Sequence, residues 1–127
     1  MSDNLHDVVI QQIVSHLNQR DYDVYTNPGQ EKNAGINNNY PDVVMTEKNG
    51  LTVKFILEIE TTESVTEMEA EQQWKKYADE IKASFYIVVP DGMVAKAKEL
   101  CVKYNVNARF ASYSVSQNGV ISFNFNV

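Results

Sequence analysis

The sequence predicts a three-layer or split α/β domain built on a central mixed sheet, in the order helix, three strands, helix, strand, helix, two strands. Three observations carry this reading. Apolar residues recur at helical spacing in three separate stretches, and β-branched or aromatic runs bounded by Gly, Pro and Asn lie between and after them. The run Phe85-Tyr86-Ile87-Val88-Val89 is apolar without interruption, as in a strand covered on both faces in a parallel arrangement.

Taken in order, Leu5, Val9, Ile10, Ile13, Val14 and Leu17 share a stripe that polar Gln11, Gln12 and Ser15 leave free, which predicts an amphipathic helix over 5–18. His6 and His16 on it have no second His or Cys cluster nearby and read as surface residues. A short strand over 21–25 ends in the turn Asn27-Pro28-Gly29. Asp21-Tyr22-Asp23 lacks the glycine and distal glutamate of a calcium loop and reads as ordinary turn acids. The stretch 30–39 has neither period nor apolar content. It is a loop, and its place directly before Tyr40-Pro41-Asp42 lets it cover whatever Asp42 binds; the plainer alternative is a solvated connector.

Strands over 42–46 and 51–61 form an antiparallel hairpin about Glu47-Lys48-Asn49-Gly50. A helix over 66–83 follows, with Ala70, Trp74, Tyr77, Ala78 and Ile81 inward and Thr66 and Glu69 as a capping box. Glu63, Glu67, Glu69 and Glu71 near its start read as a solvated end matched to the helix dipole. The apolar strand 85–89 completes a βαβ crossover and Pro90 ends it. A helix over 91–104 turns Val94, Ala97, Leu100, Cys101 and Tyr104 inward, and strands over 108–116 and 120–125 close the chain around Gln117-Asn118-Gly119.

At 127 residues, with 43% apolar and 22% charged, the chain has room for one domain, 1–127, and one real core. Its single cysteine excludes a disulfide framework and a zinc site of several thiolates, and Cys101 reads as a core thiol. The first residues are acidic rather than basic, and no apolar run approaches the roughly 18 residues of a membrane span, so a cytoplasmic protein with no membrane partner is expected. A formal net charge of -6 opposes general adhesion to nucleic acid, although a bound divalent ion neutralises carboxylates locally. No glycine-rich phosphate loop, dinucleotide fingerprint or serine-hydrolase elbow occurs.

Alternation along 55–61 places Glu58 and Glu60 on one face and Leu57 and Ile59 on the other. Buried unpaired carboxylates are costly, so that face must be wet, salt-bridged or metal-bound. If the preceding strand is the hairpin partner, Asp42 comes within reach of Glu58, and converging hard oxygen ligands suit magnesium or manganese. The plain alternative pairs Glu58 and Glu60 with Lys54, Lys75 or Lys76 on a wet sheet surface.

Pro41-Asp42, the hairpin, Glu58-Ile59-Glu60 and a following helix with Gln73 and Tyr77 resemble the PD-(D/E)XK nuclease superfamily, which has the restriction-endonuclease-like fold, over residues 5 to about 90. The resemblance implies a three-layer α/β/α domain with the core order αβββαβ, and a Mg2+-dependent (or Mn2+-dependent) nuclease acting on DNA. It further implies that Asp42 and Glu58 ligate the metal, with the Ile59 carbonyl joining them, and that Gln73, supported by Tyr77, orients the site or touches the phosphate backbone. The family's usual lysine falls at Glu60, so Glu60 either binds a second metal or acts as a base toward water, unless Lys76 or Lys54 substitutes for that lysine. The other class of function left open is a catalytically inactive binding or assembly module of the same fold. A homodimer is also expected, because so small a nuclease holds little DNA surface and its terminal strands can pair across a two-fold axis.

Overall fold

The computed structural model describes residues 5–28, 32, 34–36 and 38–127, so Gly29 of the first turn and Gln30, Glu31, Asn33 and Asn37 of the following loop lie outside the described residues. The elements are α1 (Leu5–Val14), β1 (Tyr22–Thr26), β2 (Val43–Glu47) and β3 (Val53–Ile59), followed by a helix α2 in three consecutive segments. These are Glu67–Glu69, a π-helical turn Ala70–Trp74, and Lys75–Glu80. After it come β4 (Ser84–Pro90), α3 (Val94–Lys103), β5 (Arg109–Val115) and β6 (Ile121–Asn124).

All six strands join one mixed sheet in the order β1-β2-β3-β4-β5-β6. The first three run antiparallel, β3, β4 and β5 run parallel, and β6 returns antiparallel to β5. Alternation in the strands then sorts the apolar residues into two cores. Val43, Met45, Leu57, Ile59 and Val88 pack toward Val9, Ile10 and Ile13 of α1. Val44, Ile56, Phe85, Ile87 and Val89 pack toward Trp74 and Tyr77 of α2 and Ala97 and Leu100 of α3. Helices therefore cover both faces, which is the expected α/β/α layering, and the predicted element order holds throughout. Ile56, fully buried between strands and α2, stands for the cost of this packing: Ile56→Ala would remove about 2–5 kcal/mol.

The hairpin between β2 and β3 turns through Asn49 at φ 59° with Gly50 N–H bonded to Glu47 O, as the Asn-Gly signal predicts. Its ladder carries one irregularity. Thr46 pairs with Val53 but Met45 pairs with Phe55, so Lys54 is an extra residue in β3.

Three helix boundaries differ from the periodic reading. α1 stops at Val14 rather than 18, because His16 and Leu17 bond back to Ile13 and Val14 in a tightened last turn. The Asn18 side chain then accepts the Arg20 and Asp21 N–H groups and steers the chain into β1. α2 stops at Glu80, because Ile81 adopts φ -110° and ψ 121° and buries its side chain in the core from an extended backbone. The stretch 91–93 is a 3-10 turn before α3 begins.

Candidate functional site

Counting along the ladder from Val43, which pairs with Leu57, puts Asp42 opposite Glu58 on the α2 side of the sheet. The two are tied through the backbone: Asp42 N–H donates to Glu58 Oε1 at 3.0 Å, and Ile59 N–H donates to Asp42 Oδ2 at 2.7 Å. Asn27 holds the approach to this pair. Its Nδ2 donates to the carbonyls of Ala34 and Pro41 (both 2.7 Å), its Oδ1 accepts Ala34 N–H (2.8 Å), and its backbone N–H donates to Asp42 O (3.0 Å). This buried side chain pins both ends of the loop that precedes Asp42.

Glu60 shares the face of Glu58, as alternation predicts, but it is fixed in the core. Its Oε2 accepts the Trp74 indole N–H at 2.7 Å, its Oε1 accepts the Ser64 hydroxyl at 2.6 Å, and its carbonyl accepts the Tyr113 hydroxyl at 2.8 Å. Trp74 is the core anchor expected of it and also a hydrogen-bond donor to the acidic centre. Asp42, Glu58 and Glu60 are only 8%, 3% and 2% exposed, so the wet-surface reading is overturned. The lysines it invoked are elsewhere: Lys54 is exposed at the bulge, Lys75 pairs with Asp79 (3.3 Å), and Lys76 is exposed on the wall of the adjoining cleft.

Two residues of the site were read otherwise from the sequence. The sequence places Glu69 at a solvated helix end and in a capping box with Thr66. Thr66 Oγ1 does accept Glu69 N–H (3.2 Å), yet the Glu69 carboxyl turns inward and bonds to Glu60. Carboxylate oxygens of Glu58, Glu60 and Glu69 lie within 4.8 Å of one another, so the third member of the acidic set comes from α2. The π-helical turn that follows directs Trp74 into the core while Glu69, Gln73 and Tyr77 line the cleft. The Gln73 amide satisfies both neighbours with its nitrogen toward Glu69 (3.1 and 2.5 Å) and its oxygen toward the Tyr77 hydroxyl (2.9 Å). The predicted Gln73 and Tyr77 pair thus forms, and it bears on Glu69 directly.

His6, read as a surface residue, is the second. Its Nε2 lies 3.0 Å from Asp42 Oδ2 and its Nδ1 3.1 Å from Asp7 Oδ1. The signal was available: residue 6 precedes Val9, Ile10 and Ile13 on the inward stripe of α1, so it overhangs the start of β2.

Electrostatics follow from burial. The hydrogen bond to Asp42 chiefly raises His6 to about 9, leaving a cation on Asp42 at neutral pH. Desolvation drives Glu58 well above the usual carboxylate range, and the Asp42 charge adds to it. Desolvation and then the Glu69 charge lift Glu60 to about 9, so Glu60 keeps its proton and donates to Glu69. Protons here stand in for missing positive charge. A divalent cation supplies such charge, and three convergent hard oxygen donors match its chemistry, so the residues present fit Mg2+ or Mn2+.

Beside the acids opens a polar cleft of about 550 Å3 between the loop and α2, lined among others by Lys32, Asn39, Tyr40, Asp42, Gln73 and Lys76. The described part of the loop does adjoin Asp42, as its sequence position predicts. No protein-family model, curated protein or solved structure matches this chain. Among the described residues no helix is long and apolar enough to cross a membrane.

Proposed function

We propose that this protein is a magnesium-dependent nuclease of the PD-(D/E)XK kind with the restriction-endonuclease-like fold, hydrolysing DNA phosphodiester bonds inside a reducing cytoplasm. The observation that carries the proposal is the ladder register that sets Glu58 against Asp42, which with Glu69 lines a polar cleft, while Glu60 lies beside Glu58 and Glu69. Asp42 and Glu58 would hold the metal, joined by Glu60 or Glu69 from the same cluster. A divalent ion held there would supply Lewis-acid polarisation of the scissile phosphate and activation of a water for attack. Gln73 orients Glu69, and Tyr77 fixes the Gln73 amide. His6 holds Asp42 in place and offsets its charge before substrate arrives.

A test is incubation with supercoiled, linear and branched DNA plus Mg2+ or Mn2+, alongside calorimetric titration of the metal. Cleavage that Asp42→Asn and Glu58→Gln abolish is expected. Absence of both cleavage and metal binding would sink the proposal. A second reading, an inactive nuclease-fold binding or assembly module, draws on one observation: Ser64 and Trp74 already occupy both oxygens of Glu60, where the family's lysine would stand. Metal binding without cleavage of any DNA would favour it.

A further inference from the structure

We infer that the cleft receives an unpaired DNA strand, not an intact duplex. The inference deepens the nuclease reading and rests on it for the chemistry, though not for the binding. The acids lie at a depth where at most 8% of any residue among Asp42, Glu58 and Glu60 meets solvent. The cleft above them, about 550 Å3, has the size of a pocket for one small ligand, for which about 300–1,000 Å3 is usual. The phosphates of a paired duplex are held at fixed helical spacing on its surface, whereas a strand free of its partner can bend to follow a narrow cleft and place one nucleotide within it.

The walls carry the groups that a single strand uses. Tyr40 stands immediately before Pro41-Asp42, and its ring packs so closely on Gly35 that a Cβ there would lie 2.5 Å from Tyr40 Cε1. That contact fixes the ring, and Lys32 Nζ sits 5.3 Å from its centroid. Lys32 is exposed, so it can leave the ring to meet a phosphate while a base stacks in its place. Lys76 supplies a second exposed cation on the opposite wall. Asn39 adds an independent sign of a ligand. It is 2% exposed and lines the cleft; its Nδ2 donates to Glu80 Oε1 at 3.1 Å, and its Oδ1 has no hydrogen-bond partner among the described residues. An exocyclic amino group of a base is a donor of the kind that acceptor lacks, and an unpaired base offers both of its amino hydrogens where a duplex has already engaged one.

The experiment compares three fluorescent DNAs of shared sequence, about 20 nucleotides long so as to exceed the roughly 4–16 nucleotides of a single-strand site. They are a single strand, a blunt duplex and a Y-shaped fork, measured for binding by anisotropy with Ca2+ and for cleavage with Mg2+. The inference expects the single strand to bind about tenfold or more tighter than the duplex, and cleavage of the fork confined to its unpaired arms. Tyr40→Ala should weaken single-strand binding by about tenfold, and Tyr40→Phe should restore it, which separates stacking from a loosened loop. Equal binding and cleavage of the blunt duplex would overturn the inference and leave the nuclease reading intact. Tight single-strand binding without cleavage of any DNA would uphold the inference and sink the nuclease reading. Failure to bind any of the three would overturn the inference.

Discussion

Replacing Glu60 by Gln changes how stability depends on pH, and the structure fixes the direction. The Glu60 carboxyl is raised from an ordinary 4.5 to about 9, first by burial and then by the Glu69 charge. Between those values the folded chain holds a proton that the unfolded chain has released, so the stability this group lends is greatest below about pH 4.5 and falls as pH rises toward about 9. One such group contributes a slope of at most about 1 kcal/mol per pH unit, or about 2–3 kcal/mol between about pH 6 and about pH 8. That is a large part of a domain stability of about 5–15 kcal/mol. Gln keeps the shape: its oxygen accepts the Trp74 indole, and its amide nitrogen reaches Ser64 Oγ and Glu69. The variant therefore lacks this one proton while keeping the packing. Urea unfolding in metal-free buffer should give near-equal midpoints for parent and variant at about pH 5 and a more stable variant at about pH 8. Parallel pH profiles for the two would refute the protonated, buried state of Glu60.

Asn27→Ala should cost about 2–4 kcal/mol in urea unfolding, because its side-chain hydrogen bonds to Ala34 and Pro41 vanish and the buried Pro41 carbonyl and half-buried Ala34 carbonyl lose their donor. His6→Gln removes a cation raised from 6.5 to about 9 by its bond to Asp42, so the stability it lends is complete below about pH 6.5 and gone above about 9. After discounting for solvent around a partly exposed ring, the variant should lose about 1–2 kcal/mol at about pH 6 and little at about pH 9, read from urea midpoints at the two values. Burial pushes the Cys101 thiol up to about 11, so a colourimetric thiol reagent should react slowly with the native protein at neutral pH and quickly once denaturant unfolds it.

What was legible in the sequence was what short-range rules govern. The Asn-Gly turn, the alternation of Glu58 and Glu60 against Leu57 and Ile59, and the four-residue spacing of Gln73 and Tyr77 each depend on a few neighbouring positions. The opposition of Asp42 and Glu58 followed from the hairpin. His6 on Asp42 and Glu69 on Glu60 escaped because both contacts close across separate elements, and because His at a helix start and Glu in a first turn have ordinary local explanations. The helix ends escaped for a related reason: Ile81 keeps its place in the hydrophobic period while its backbone has already left the helix.

The extra residue Lys54 in β3 sets the phase of everything beyond it. Had the ladder run on evenly from the Thr46 and Val53 pair, Leu57 would stand opposite Asp42. The strand's acids would then share a layer with α1, and its leucine and isoleucine would share one with Trp74. Deleting Lys54 itself would leave Met45 opposite Phe55 and Asp42 opposite Glu58, because the residue removed is the unpaired one. Closing the bend with Lys54 kept in the ladder would instead be a change of chemistry at constant length, carrying the carboxylates through the sheet to the wrong side of the molecule.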